Sequence, residues 1–215
     1  MGKKLNLAII LVIGSMIVLF QTNFKTILKW SRPQMTRRNY RTKPLVMKGG
    51  DPYIRALMRT ITASESNVSR PYHVLYGGKY VHDLSKHPNK CIPIVVGPNT
   101  GNCTTAAGRY QFLNYTWYEK AKLYHPKMSG FMWWKNYSFE PQYQDAVVHA
   151  WLTDSQAWGT DIALLLRQGK IDKVFRLLSG TWTSLGYGIE NNSMTPYLRS
   201  IYRQMLREEL GSVDV

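Results

Sequence analysis

The stretch from Asp51 to Asn67 constrains the fold of this chain more tightly than any other. Asp51-Pro52 is an N-cap followed by a first-turn proline. Ile54, Leu57, Met58 and Ile61 then recur at helical spacing on one apolar face. A helix with a single apolar stripe has to bury it, so a packed domain is expected to begin at Asp51. The pattern gives out in Thr62-Ala63-Ser64-Glu65-Ser66-Asn67. One more turn carries Glu65 into line with Met58 and Ile61, at the edge of the buried side. A carboxyl held there is neither enclosed nor freely solvated, a setting that raises its pKa and suits a proton donor. The competing reading is a solvated glutamate at a helix end.

Two β-rich runs follow, Tyr72–Tyr76 and Lys79–Asp83, separated by Gly77-Gly78, which predicts a hairpin with a tight primed turn. Leu84 to Gly101 reads as an irregular loop rich in Pro, Asn and Gly. The small residues of Thr104–Gly108 suggest a close backbone approach before another helix. From Tyr115 onward the pattern is mostly helical. Trp117, Ala121 and Tyr124 share a face, Phe131–Tyr137 forms an aromatic loop, and Glu140-Pro141 opens a helix through Trp151. Ile162–Leu166 and Ile171–Leu178 are short apolar segments stopped by Gly169 and Gly180. Thr195-Pro196 starts a last helix whose inner face is Leu198, Ile201, Tyr202 and Met205, ending at Gly211. The expected fold is α+β, mainly helical with one small hairpin and no internal repeat.

Charge divides the chain differently. Of 28 Lys and Arg among 215 residues, ten lie in residues 1–50, which contain no acid; residues 51–215 are mildly basic, with the other 18 against 13 Asp and Glu. Lys3-Lys4 precedes the apolar run Leu5–Phe20, and no small-residue cleavage site follows, so residues 1–24 are expected to form an uncleaved transmembrane anchor. Residues 25–50 read as a basic linker and 51–211 as the globular domain. The cations after the apolar run argue by the positive-inside rule for a cytoplasmic domain. The short N-terminal tail and the cysteines favour an exported one, on the periplasmic or cell-wall side of the inner or plasma membrane. Cys91 and Cys103 are the two cysteines. They read as a disulfide across a surface loop in an oxidising compartment, or as two separate buried thiols. A zinc site would have to recruit His82 and His87 at a spacing that fits no common zinc motif, so no metal and no cofactor are expected. No nucleic-acid recognition motif is present, and no obligate protein partner is implied. Five N-x-Ser/Thr sequons, one at Asn67, read as chance, since a glycan there would crowd Glu65.

Several ordered motifs together resemble the muramidases of the phage lambda endolysin type. They are Ser64-Glu65; Tyr72, Val74, Gly77, Gly78, Asp83, Ser85, His87 and Pro88; Ala107-Gly108-Arg109-Tyr110-Gln111; Phe139, Pro141 and Gln144-Asp145-Ala146; and Trp182-x-Ser184-Leu185 with Gly186-Tyr187-Gly188. The likeness spans most of residues 53–190. It implies a lysozyme-like α+β domain that cleaves the β-1,4 bond between N-acetylmuramic acid and N-acetylglucosamine in peptidoglycan. It further implies a lytic transglycosylase, in which one glutamate protonates the glycosidic oxygen and the muramic acid's own C6 hydroxyl attacks, leaving a 1,6-anhydro end. Glu65 matches that glutamate. The N-terminal anchor and the Cys91–Cys103 loop are departures from the lambda-type pattern.

Other residues are candidates beside Glu65. Asp83 is a possible second carboxylate for ordinary hydrolysis, or a turn cap. Tyr110 and Gln111 have the phenol and amide to meet sugar hydroxyl and N-acetyl groups, or they pack at a helix start while Arg109 pairs within the fold. Ser66 orients the acid or caps the helix. Tyr187, between two glycines, lines the site or makes a tight turn, and Trp133-Trp134 belongs to a sugar groove or to the core. A membrane-anchored module that grips an anionic polymer without cutting it is the alternative outside enzymology.

Overall fold

A computed structural model describes residues 41–95, 97, 99–126, 137–187 and 192–211. The elements follow in the order α1 (Pro52–Glu65), β1 (Ile92–Pro93), β2 (Cys103–Thr104), α2 (Asn114–Tyr124), α3 (Pro141–Thr153), α4 (Ser155–Trp158), α5 (Ile162–Arg167), α6 (Ile171–Leu178) and α7 (Leu198–Gly211). The segments expected to be helical are helical, except that α2 begins at Asn114, so Tyr110 and Gln111 lie in the turn before it instead of at its start, and Thr195–Tyr197 is a 3-10 turn leading into α7. The expected anchor in residues 1–24 and the pair Trp133-Trp134 lie outside the described residues. Among the described residues no helix is long and apolar enough to cross a membrane.

Helix α1 is the central element. Asp51 caps it as the sequence predicts, its carboxylate accepting from the N–H groups of Tyr53 (2.9 Å) and Ile54 (3.2 Å). Ile54, Leu57, Met58 and Ile61 are all fully enclosed. Helices α3, α5 and α7 pack around α1, and α7 buries the predicted face of Leu198, Ile201, Tyr202 and Met205. Apolar patterning does not account for the whole α1–α7 contact. Arg59 Nη1 meets Glu209 Oε1 at 3.0 Å and its Nη2 meets Glu208, while Arg55 Nε meets Glu209 Oε2 at 2.6 Å. Arg59 and Glu209 are both buried. Removing charges from water is costly, and here Arg59 is shared between two glutamates and Glu209 between two arginines, all at close range.

Packing also extends ahead of Asp51. Thr42 and Leu45 are buried, and the Thr42 hydroxyl donates to Met205 Sδ at 3.2 Å. The described part of the segment read as linker therefore lies on the folded unit.

The β-structure corrects the sequence reading. The expected hairpin of Tyr72–Asp83 is a folded-back turn instead of a pair of strands. Gly77 and Gly78 take the predicted positive φ, at 73° and 85°, and Leu75 N–H donates to Lys79 C=O at 2.7 Å. Between the two arms only Val74 and Tyr80 form a bridge, because Leu75 pairs with Ala107 on its other side. The two-stranded antiparallel sheet lies within the segment read as loop, with Ile92 opposite Thr104 and Pro93 opposite Cys103. Strands of two residues are too short to show alternation in a sequence. A Cys91–Cys103 disulfide closes this ribbon.

Two stability predictions follow from these contacts. Glu209→Ala leaves two guanidinium groups short of a partner and should cost roughly 3–5 kcal/mol in chemical denaturation; a loss below about 1 kcal/mol would match an exposed pair instead. The second concerns pH. Burial pushes the imidazoles of His87 and His149 below their ordinary value. His87 Nε2 bonds the Phe112 carbonyl and its Nδ1 accepts from Asn89 N–H, an arrangement only the neutral ring makes. The unfolded chain binds protons at these histidines from about pH 6.5 downward, where the folded one resists them. Stability should therefore be complete above that pH and fall as pH drops from it toward the lowered folded values. Denaturation midpoints at pH 7.5 and 5.5 check this, and an equal or higher midpoint at pH 5.5 would contradict it.

Candidate active site

Glu65 is the last residue of α1 and is half-buried. The next residue, Ser66, ends the helix, with its N–H donating to Thr62 C=O at 2.9 Å. Its buried hydroxyl donates to Arg109 C=O at 2.6 Å. The helix exit is thereby tied to the Ala107–Gln111 segment, and Ser66 acts as a positional tie.

That segment is held by a buried polar network. Arg109 is completely enclosed. Its Nε donates to Thr62 Oγ1 (2.8 Å), and its Nη1 to Tyr72 Oη (2.9 Å) and Pro44 C=O (3.0 Å). Nη2 donates to Lys43 C=O. Asp145, equally buried, accepts from Tyr72 Oη (2.7 Å), Tyr110 Oη (2.6 Å) and Val46 N–H (2.8 Å). Burial, and then the charge of Asp145, pushes both phenols above their ordinary values, so they remain neutral donors. Gln144 takes the Arg109 N–H on its amide oxygen (2.9 Å) and donates to the carbonyls of Tyr72 and Phe139. Gly108 makes this approach possible. Its φ is +73°, and a Cβ there would lie 2.7 Å from Phe139 Cζ and still closer to Gln144.

A second segment reaches Glu65 from far along the chain. Trp182 Nε1 donates to Tyr110 C=O at 3.0 Å, anchoring the single helical turn Thr183–Leu185. From that turn Ser184 Oγ hydrogen-bonds Glu65 Oε1 and lies 2.9 Å from Ser64 Oγ. Asn192 Nδ2 donates to Ser64 C=O at 3.2 Å, and Thr195 Oγ1 to Ser184 C=O at 3.0 Å.

The remaining candidates fall in distinct places. Tyr110 is enclosed, with its hydroxyl committed to Asp145, so it supports the site from behind and is not a surface for a sugar. Gln111 is half-buried, has φ +47°, and donates its amide to Gly108 C=O at 2.9 Å. Tyr187 is 52% exposed, in a left-handed conformation at φ +65°. The Arg176 guanidinium lies 4.6 Å over its ring. Asp83 is exposed and accepts from Ser85 N–H at 2.9 Å. Hydrogen bonds from the Ser85 backbone and side chain hold its carboxyl below the usual range. It does the work of a turn cap. Ser184 and Asn192 were not singled out as site residues from the sequence. Ser184 lies 119 positions from Glu65, and only its place in the Trp182-x-Ser184-Leu185 motif hinted at a role.

A family model described as Endolysin matches residues 55–208. Among solved structures, bacteriophage lambda lysozyme complexed with a chitohexasaccharide is similar, with a TM-score of 0.52 and 25% identity over 74% of this chain and 97% of that one. A second structure, described as lysozyme from bacteriophage lambda, gives a TM-score of 0.51 and 22% identity over 76% of this chain and 97% of that one. The described domain therefore has a lysozyme-like fold. No curated protein matches the chain.

Replacing Gly108 tests the approach of its segment to α3. Gly108→Ala combines a left-handed φ with a clash against Phe139 and Gln144, and should destabilise the domain by about 2–4 kcal/mol. Chemical denaturation measures this, and a loss under about 0.5 kcal/mol would mean that the network repacks freely.

Proposed function

Because this chain belongs to the Endolysin family, we propose that it is a peptidoglycan-cleaving muramidase acting as a lytic transglycosylase, with Glu65 as general acid and then general base. The observation that carries this reading is the placement of Glu65, half-buried at the end of α1 in the Ser-Glu motif, with a serine hydroxyl on one carboxyl oxygen. The chitohexasaccharide bound by the lambda lysozyme supports a polysaccharide substrate here. The protonated carboxyl delivers its proton to the glycosidic oxygen as the C1–O bond breaks and the electron pair leaves with that oxygen. The carboxylate then takes the proton of the muramic acid's C6 hydroxyl as its oxygen bonds to C1, closing the 1,6-anhydro ring. Atoms balance without water, and Glu65 ends protonated, ready for another turnover.

A hydrolase of ordinary design needs a second carboxyl, about 5 Å away for retention or about 6.5–9.5 Å for inversion. Asp83 is the candidate in sequence, but it is a solvated cap on Ser85, which favours the single-acid route. Gln111 and Tyr187 are the proposed substrate contacts on the side open to solvent. The Cys91–Cys103 bond supports placing the domain in an oxidising compartment, tethered through the apolar residues 1–24 with its catalytic face toward the wall.

Clearing of purified cell walls by the wild-type chain and by Glu65→Gln tests the assignment. The wild type should clear the suspension, and the variant should lose at least about 100-fold in rate. Equal clearing by both proteins, or by neither, would remove the catalytic reading and favour a binding module. Mass spectrometry of the released muropeptides separates the two chemistries: anhydro ends are expected, and a mixture dominated by reducing ends would assign hydrolysis.

A further inference from the structure

We infer that Ser184 is a positioning residue for the acid: its hydroxyl donates to Glu65 Oε1 and so places the reactive proton on Oε2. The inference rests on the reading of Glu65 as the general acid. Ser184 is 6% exposed and lies within hydrogen-bond reach of two acceptors, Glu65 Oε1 and Ser64 Oγ. A serine hydroxyl has one proton to give. When Glu65 is a carboxylate its oxygen accepts more strongly than a neutral hydroxyl, so the Ser184 proton goes to Glu65 Oε1 and the incoming proton is taken on the other oxygen. With the Ser184 hydroxyl turned to Glu65, Ser64 is the donor across its 2.9 Å contact with Ser184 Oγ, turning its own proton away from the Ile61 carbonyl at 3.1 Å. In the acid form of a carboxyl, the oxygen that accepts a hydroxyl proton is the carbonyl oxygen, which leaves the acidic hydrogen on the other one.

Ser184 is itself held from several directions. Trp182 anchors its turn to Tyr110, Thr195 binds its carbonyl, and Asn192 binds the carbonyl of the neighbouring Ser64. A hydroxyl fixed this firmly restricts the rotation of the Glu65 carboxyl. Its contribution also grows during the reaction. When the Oε2 proton moves to the glycosidic oxygen, Glu65 becomes a carboxylate and the bond from Ser184 becomes charge-assisted. An interaction that strengthens on the way to the transition state raises kcat and leaves ground-state binding nearly unchanged. The same carboxylate then recovers a proton from the attacking hydroxyl, and the bond returns to its neutral strength.

The test compares the wild type, Ser184→Ala, Ser184→Thr and Glu65→Gln as full chains on purified peptidoglycan, with thermal midpoints measured alongside. Ser184→Ala should lose roughly 10- to 100-fold in kcat, with the apparent KM within about threefold of wild type. Its melting midpoint should stay within about 4 °C of the wild type. Ser184→Thr, which keeps the hydroxyl, should recover most of that kcat. With Glu65→Gln inactive, this inference alone is overturned by an unimpaired Ser184→Ala, by a loss carried in KM, by a larger fall in the midpoint, or by equal losses in Ala and Thr. A fully active Glu65→Gln would instead remove the reading of Glu65 on which the inference stands.

Discussion

The buried guanidinium of Arg109 is the interaction on which the geometry of this domain depends. It joins parts of the chain that are remote in sequence: the carbonyls of Lys43 and Pro44, the hydroxyl of Thr62 in α1 and the phenol of Tyr72. Its backbone extends the same role, accepting from Ser66 and donating to Gln144 in α3. An enclosed cation is costly unless its donors are met. Here the planar fork of donors selects one arrangement of the surrounding segments. Asp145 completes the arrangement as the nearby buried anion, reached through the hydroxyl of Tyr72.

Helix α1 is consequently held at both ends by charge and along its middle by apolar packing. Arg55 and Arg59 meet Glu208 and Glu209 of α7 toward its first half, while Thr62 and Ser66 bind Arg109 at its exit. Between them Ile54, Leu57, Met58 and Ile61 are sealed in the core. Glu65 is the next residue outward from this clamped region, so its backbone inherits a fixed position. The proposed site stands at the end of a rigid element, where small displacements of a reacting group would be suppressed.

Much of the architecture was legible in the sequence. Proline-marked helix starts at Pro52 and Pro141 and the apolar spacing of α1 and α7 depend on interactions between near neighbours, which local patterns report. The β-structure was read less well. Tyr72–Asp83 has strand-forming residues around Gly77-Gly78, but its outer edge is taken by Ala107, and the paired strands arise beside the cysteines instead. Pairing is a choice among partners, and β-propensity does not name the partner. The same limit applied to Tyr110 and Asp83. A tyrosine next to Gln111 looks available for a sugar until the fold places Asp145 against its hydroxyl. An aspartate at the end of a candidate strand looks like a second acid until Ser85 claims it as a cap.

By itself the sequence determined the helical elements, the apolar face of α1, the position of Glu65 at its end and the ordered motifs shared with the endolysins. These follow from periodicity, capping chemistry and residue identity, all of which are local properties of the chain. Tertiary structure alone decided which groups surround that carboxyl. Ser184 reaches it and Asn192 reaches its neighbour Ser64 from the far end of the chain, with Thr195 holding Ser184, and Tyr110 turns inward to Asp145. Those contacts depend on closing the chain around Arg109, and no local pattern encodes how a buried cation will gather its acceptors.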